Sequence, residues 1–351
     1  MPWISSGNPM QRTKDPGAVI VVTVTYGNRR HLLERLVRQV VAEGVGRIVV
    51  VDNGSTWDVQ SIANSGEQGR IDVVQLMQNK GSAAGYAAGI KRALATHAEF
   101  IWLLDDDNVP EQGCLKTLLE GYRSLGCSDS PAMLSVAALR PDLVAIGYEY
   151  ASCAPRRLSG RFINFHFLDI PAKIWRQIAK SARKNRNELA LNETSDVTYI
   201  QEAPYSGLML HRSTIARIGL PRADFVLYMD DSEFTRRFTD SGGRLVLLRR
   251  ARVLDVERNV SGDGRWIFRA LRNWDNWRTY YTYRNLVWMD NHPRRYNGHS
   301  IIYRLNMVTW LCIHLFVAIL TGRLREFSVL IDAVRDGDRG RMGMSEKYPL
   351  G

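Results

Sequence analysis

The sequence has little of what staples or coordinates a fold. Its four cysteines, Cys114, Cys127, Cys153 and Cys312, are scattered through 351 residues with no C-x-x-C pair and no matching histidine spacing. A disulfide framework and a structural zinc site are thereby excluded, and reduced thiols in a cytoplasmic setting are expected. Residues 1–17 lack the charged-then-apolar pattern of a signal peptide and hold Pro2, Pro9 and Pro16, so they read as a disordered lead-in. Acidic residues are outnumbered, 36 against 47 Lys and Arg, for a net charge of +11. That imbalance calls for an anionic partner: nucleic acid, an acidic membrane surface or a phosphorylated substrate.

What is present is a globular composition, 45% hydrophobic, enough for one large domain or a domain with a smaller appendage. The chain is organised around Phe100-Ile101-Trp102-Leu103-Leu104, a buried-strand pattern that ends in Asp105-Asp106-Asp107. Such a strand delivers its carboxylates to the carboxyl edge of a sheet, where open α/β folds bind ligands. Three adjacent like charges repel unless a positive group sits among them, which points to a divalent cation with a diphosphate. A solvated acidic turn is the alternative.

Around this stretch strands and helices alternate. Ala18 to Tyr26 is β-branched, Leu32, Leu33, Leu36, Val37 and Val40 fall at helical spacing, Arg47 to Val51 is a second strand, and Asp52-Asn53-Gly54-Ser55 turns at its end. A third strand, Ile71 to Met77, leads into Asn79-Lys80-Gly81, with further glycines at 85 and 89 on the following helix. This segment is neither a Walker loop nor G-x-G-x-x-G, and its glycines serve either a phosphate or close helix packing. A helix from Leu115 to Tyr122 and a strand from Ala132 to Leu139 complete an α/β pattern with a parallel sheet.

Beyond Gly147 the pattern is irregular. Residues 170–186 make a basic amphipathic helix that suits a membrane surface or an ordinary core-packed face. Strands are expected at Tyr205 to Leu210, at Phe225 to Met229, at Leu245 to Leu248 and at Ala251 to Leu254. The second of these runs into Asp230-Asp231, which serve either as helix-start dipole groups or as a second acidic site. An Arg- and Trp-rich stretch comes after Asp255, and Ile301 to Leu320 is apolar but interrupted by Arg304, Asn306 and His314. Those interruptions favour an in-plane or core-packed helix over a membrane span.

Two acidic strand ends and a parallel sheet fit transfer from a metal-bound diphosphate, with one carboxylate pair on the metal and a separate carboxylate taking the acceptor proton. The ordered set Thr25-Tyr26-Gly27-Asn28-Arg29, Asp52-Asn53-Gly54-Ser55, Asn79-Lys80-Gly81, Asp105-Asp106-Asp107, Gly207, Asp230-Asp231 and Tyr281 to Asn285 resembles the family 2 glycosyltransferases over Val19 to Asn285. The resemblance implies a GT-A fold, a Rossmann-like, mostly parallel central sheet flanked by helices, spanning 18–255, with a C-terminal helical region at 256–351 for acceptor or membrane association. It implies that Thr25, Tyr26 and Asp52 contact the nucleotide, that Asn79, Gly81, Asp105 and Asp106 lie on the donor, and that Asp105 and Asp107 hold Mn or Mg. Asp231, beside Asp230, maps to the general base of an inverting displacement.

Within the family the triple Asp, Met229-Asp230-Asp231-Ser232-Glu233-Phe234 and Trp277-x-x-x-Tyr281-x-x-Arg284-Asn285 look most like bacterial galactofuranosyltransferases and rhamnosyltransferases. That likeness implies a UDP or dTDP sugar donor, a glycan or polyprenyl-linked acceptor, and peripheral attachment to the cytoplasmic face of the plasma membrane, with no nucleic acid. Relatives often carry a metal-binding His after the last core strand. Here the position is Asp255, either an oxygen ligand or a core-edge residue, with His292 and His299 as other sources. The rivals are a haloacid-dehalogenase-like phosphatase, whose Asp-x-Asp strand normally comes first in its domain, and a non-catalytic membrane- or nucleotide-binding module.

Overall fold

The computed structural model describes residues 18–64, 69–126, 130–145, 160–163, 165–169, 195–257, 271, 275–291 and 301–351. The lead-in, the basic segment 170–186, most of the Arg- and Trp-rich stretch before Asp275, His292 and His299 lie outside them. The β-branched run forms strand β1 (Val19–Gly27), buried through its first seven residues, as a strand covered on both faces must be. Helix α1 (Arg30–Ala42) turns the expected stripe, Leu32, Leu33, Leu36, Val37 and Val40, into the core. Strand β2 (Arg47–Ser55), helix α2 (Gln60–Asn64), strand β3 (Ile71–Leu76), helix α3 (Gly81–Leu94) and strand β4 (Phe100–Leu103) come next. These four strands are parallel, in the order β3-β2-β1-β4. Their carboxyl ends share one edge, with Thr25 paired to Asp52 across β1 and β2.

Three strands precede the acidic one, the reverse of the phosphatase arrangement. After it come β5 (Asn108–Pro110), α4 (Cys114–Gly126), β6 (Leu134–Leu139), α5 (Pro141–Ala145), β7 (Val197–Ile200), β8 (Leu208–His211), α6 (Arg212–Ile218), α7 (Asp230–Asp240) and β9 (Arg244–Asp255). The sheet continues β8-β6-β9-β5. Antiparallel ladders join β4 to β8, β8 to β6 and β9 to β5, while β6 and β9 run parallel. Apolar clusters cover both faces, one built with α1 and α4 and the other with α3 and α7.

Several expectations change. The two strands read at 245–248 and 251–254 are one, β9, which runs on through Arg249 and Arg250 while its register against β6 shifts, Ala138 pairing with Leu248 and Leu139 with Arg252. The strand expected over Phe225 to Met229 does not form. Val226, Tyr228 and Met229 have φ of 67°, 64° and 61°, a left-handed conformation that a pleated strand cannot contain. Gly85 and Gly89 serve packing: a Cβ on Gly85 would fall 2.6 Å from Val24 Cγ1, and one on Gly89 would strike Val22. They let α3 lie directly on β1.

The described residues of 1–153, 193–222 and 231–260 form one compact unit, and those of 154–192, 223–230 and 261–351 a second. In the second unit α8 (Asn276–Asn291), α9 (Ile301–Thr321) and α10 (Leu324–Asp338) pack around Tyr281, Val287, Tyr303, Trp310 and Leu330. Among the described residues α9 is the one helix long and apolar enough to cross a membrane by length and composition. Its polar interruptions are engaged within the unit. Arg304 pairs with Asp338 at 2.7 Å, and buried Asn306 donates to the Gly160 carbonyl and accepts from the Phe167 amide. His314 Nδ1 lies 2.8 Å from the Trp310 carbonyl oxygen. The other side of the helix exposes Ile301, Leu305, Val308, Leu315, Phe316, Ile319 and Leu320.

Candidate active site

Strand β4 stops at Leu103, paired with Val22 and with Leu208, the first residue of β8, and a turn carries the three carboxylates around the sheet edge. The Asp105 amide donates to Ser206 Oγ at 3.3 Å, and the Asn108 amide to the Asp105 carbonyl at 3.1 Å. Alternation along the backbone then gives the carboxylates separate environments. Asp106 points inward, its carboxyl 4% exposed, accepting from Thr25 Oγ1 at 2.7 Å and from Arg29 Nε at 3.0 Å. Asp105 and Asp107 stay partly exposed. Tyr86 OH donates to Asp105 Oδ1 at 2.6 Å, and Arg29 Nη2 reaches Asp107 Oδ2 at 2.7 Å.

Strand β9 brings Asp255 alongside, because β5 pairs Asn108 with Asp255. The Val256 amide donates to the Asp107 carbonyl at 2.9 Å, and Glu257 closes on Arg29 at 2.6 Å. Arg140 holds Asp142 through two bonds of 2.9 and 2.8 Å, with Nη2 3.6 Å from Asp255.

Burial, then the neighbouring Asp107 charge, pushes the Asp105 carboxyl up to about 6 against the opposing pull of Tyr86, Arg140 and Arg29. Burial raises Asp106 to about 6 as well, although Arg29 and Thr25 favour its charge. Asp255 moves up for the same first reason, with Asp107 second. Arg29 and Arg140 are each held above the ordinary arginine value by their carboxylates, against the effect of burial.

The donor set is therefore hard oxygen under mutual repulsion, which suits Mg or Mn. Among the described residues no three of His, Cys, Asp and Glu close on one point. Asp255 leans toward Arg140 and the Glu257 amide, leaving Asp105 and Asp107 as the pair that fits a cation completed by phosphate and water. A carboxyl raised above its unfolded value near 3.9 holds its proton better when folded, so its contribution is full below about pH 4 and lost as pH rises through about 6. The metal-free protein should lose melting temperature between pH 4.5 and 7. The rise on adding Mn should grow over the same interval. Thermal scans with and without Mn check both signs.

The next stretch of the edge is built on asparagine. Gly54 has φ of 82°, and a Cβ there would lie 2.7 Å from the Asn79 amide nitrogen. That close approach lets Asn53 Nδ2 reach Asn79 Oδ1 at 3.1 Å while Asn53 Oδ1 accepts from the Lys80 amide at 2.9 Å. Asn79 Oδ1 also accepts from the Gly81 amide at 3.0 Å, so the loop enters α3 already fixed. Asp52 accepts from the Ser55 amide at 2.8 Å. Tyr26 is 42% exposed, with the Arg29 guanidinium 5.1 Å from its ring centre.

Asp230 and Asp231 open α7. Asp231 Oδ1 accepts from the Ser232 amide at 2.6 Å, and Thr235 Oγ1 donates to the Asp231 carbonyl at 2.8 Å. The residues just before, Val226, Tyr228 and Met229, are left-handed at a cost of about 1–2 kcal/mol each. Asn285 Nδ2 lies within 2.9 Å of the Phe225, Leu227 and Tyr228 carbonyl oxygens. Arg284, 1% exposed, reaches the Phe225 carbonyl at 2.9 Å and also bonds the Gly343 carbonyl.

The structure thus gathers Thr25, Asp52, Asp105, Asp106, Asp107 and Asp255 at one sheet edge, joins Asn79 and Gly81 through Asn53, and puts Asp230 and Asp231 on a separate helix. Sequence reasoning gave no role to Arg29, Tyr86, Arg140, Ser206 or Asn53. Arg29 and Asn53 stood inside family-like motifs, whereas Tyr86 and Arg140 carried no local signal.

Residues 20–129 match the family model described as Glycosyl transferase family 2. The chain is 25% identical over 226 residues to Galactofuranosyltransferase GlfT1 of Mycolicibacterium smegmatis, covering 64% of this chain and 66% of that protein. It is 26% identical over 198 residues to Galactofuranosyltransferase GlfT1 of Mycobacterium tuberculosis strain H37Rv, covering 56% and 55%. The matches span just under two-thirds of the first relative and little more than half of the second. A crystal structure of GalNAc-T7 with UDP, GalNAc and Mn2+ aligns with a TM-score of 0.50 and 13% identity, over 78% of this chain and 47% of that one, a likeness of fold.

Proposed function

We propose, from the match of residues 20–129 to the family 2 glycosyltransferases, that the chain is an enzyme of that family and moves galactofuranose from a UDP donor to a hydroxyl of a glycan acceptor with inversion. The observation that carries this reading is the pair of partly exposed carboxylates, Asp105 and Asp107, at the carboxyl end of β4 beside Asp52. Asp105 and Asp107 would hold a divalent cation, whose chemistry there would be neutralisation of charge on the leaving nucleotide. Tyr26 and Asp52 take the base and ribose, with Asn79 and Gly81 along the donor. Thr25 supports Asp106 from below.

Asp231 accepts the acceptor hydroxyl proton as that oxygen bonds to the anomeric carbon and the bond from that carbon to the diphosphate oxygen breaks. The displacement comes from the face opposite the leaving group, so the anomeric configuration inverts. Galactofuranose is preferred over rhamnose because the curated relatives are named galactofuranosyltransferases. The test offers UDP-galactofuranose and dTDP-rhamnose with a glycan acceptor, in Mn and in EDTA, reading nucleotide release and product configuration by NMR. Mn-dependent release from the first donor with inversion is expected. No release from either donor, or retention, overturns the reading.

Peripheral attachment at the cytoplasmic face of the membrane, to a lipid-linked acceptor, belongs to the same proposal. The exposed apolar side of α9 on a chain of net charge +11 suits an anionic lipid surface. Phe316→Glu with Ile319→Glu should reduce co-sedimentation with phosphatidylglycerol vesicles at least about tenfold at unchanged melting temperature. The magnitude reflects the roughly 1.5–3 kcal/mol that each buried apolar side chain contributes. Equal sedimentation would remove α9 from the contact.

A further inference from the structure

We propose that Tyr86 is a positioning residue for the metal site: from α3 its hydroxyl holds Asp105 by Oδ1 and leaves Oδ2 for the cation. The inference rests on the reading of Asp105 as a cation ligand. Helix α3 follows β3 and so starts at the carboxyl edge of the sheet. Side chains on a helix lean back toward its start, which aims Tyr86 at that edge. Gly85 and Gly89 seat the helix against Val24 and Val22 of β1, and β4 lies beside β1 with Leu103 opposite Val22. Asp105 comes two residues after that pairing, and Tyr86 OH donates to its Oδ1 at 2.6 Å.

Tyr86 is 1% exposed and sits in the apolar cluster with Leu103, Tyr205, Leu208 and Phe234. Packing there asks only for a ring, which phenylalanine would supply; the hydroxyl serves Asp105. The ring itself is fixed. Tyr205 packs on it with centres 4.2 Å apart and planes tilted by 38°, and Phe234 lies 6.0 Å beyond Tyr205. The two residues after Tyr205 hold the backbone of the same strand end: Ser206 Oγ accepts from the Asp105 amide at 3.3 Å, and the Gly207 amide donates to the Leu103 carbonyl at 2.9 Å. Residues 205–207 thus fix Asp105 twice, through its own amide and through the phenol on its carboxylate. The terminal torsion of an aspartate is otherwise broad, and the repulsion of Asp107 and the pull of Arg140 both act to turn it. Among the described residues Oδ2 makes no hydrogen bond, and Asp105 is partly exposed, so this is the oxygen left to a hard cation.

The test compares Tyr86→Phe, Asp105→Asn and the double variant, with Mn affinity in the presence of UDP by calorimetry and transfer rates across a Mn titration. Tyr86→Phe should weaken Mn binding about 10- to 100-fold, the usual cost of removing a hydrogen bond that orients a metal ligand. Most of the rate lost at low Mn should return at saturating Mn, a split that a general packing defect would not give. In the Asp105→Asn background the further change at Tyr86 should move Mn affinity by less than about threefold, because both act through one carboxylate. Where Tyr86→Phe yields no folded protein, Tyr86→Met, which fills the space without a hydroxyl, is measured in its place with the same expected direction. A folded Tyr86 variant with wild-type Mn affinity, a loss of rate that saturating Mn does not restore, or losses that multiply in the double variant overturns the inference. Wild-type Mn affinity in Asp105→Asn overturns instead the reading it rests on.

Discussion

Asp231→Asn is expected to bind donor as the wild-type protein does and to transfer about 10²- to 10⁴-fold more slowly, the range for loss of a general base. Asparagine has the same shape, and its carbonyl oxygen can keep the bond from the Ser232 amide, so α7 should still start at the same place. Thr235 holds the Asp231 backbone carbonyl regardless of the side chain. What the amide cannot do is take a proton from an incoming hydroxyl. Calorimetry with UDP and Mn should therefore match wild type while single-turnover transfer collapses. A fall in kcat without a change in UDP affinity marks a group that acts in the transition state. Normal turnover would return Asp231 to the role of a helix-start residue.

Much of the fold was legible because local pattern and tertiary environment agree. β1 and β2 are β-branched and buried on both faces, and α1 shows its buried stripe in five residues. The acidic turn was legible for the same reason, as the four buried residues of β4 carry the carboxylates after them to the sheet edge. The turn at 225–229 was not. Its apolar residues carry a strand-like composition, but their conformation is imposed by Asn285 and Arg284, some 60 residues along the chain. Nor could the sequence divide the triplet into an inward Asp106 and outward Asp105 and Asp107, since that depends on where Thr25 and Arg29 arrive from β1 and the loop after it. Asp255 meets Asp107 only through the short β5–β9 ladder, a pairing across 147 positions. The phosphate-or-packing question at Gly85 and Gly89 was open for a related reason: only the approach of Val22 and Val24 decides it.

Asp107→Ala should separate stability from function more sharply than any other change at the edge. In the metal-free protein Asp107 is a burden on its neighbours, because its charge adds to the burial that lifts both Asp105 and Asp255. Removing it relieves that repulsion and forfeits one of the carboxylates around Arg29, which keeps Asp106 and Glu257. The melting temperature without metal should hold or rise slightly at pH 7.5. With Mn and UDP the sign reverses. Wild type at a hundred times the dissociation constant gains about 2.7 kcal/mol, and the variant, left with Asp105 alone, should gain almost none. Transfer should fall by roughly 10³-fold, the rate equivalent of the several kcal/mol of charge stabilisation that a bound cation supplies. Arg29 cannot substitute, since its bonds to Asp106 and Glu257 keep the guanidinium against the protein. A variant that melts lower without metal yet keeps its Mn-dependent gain would make Asp107 an anchor for Arg29 and move the cation elsewhere along the edge.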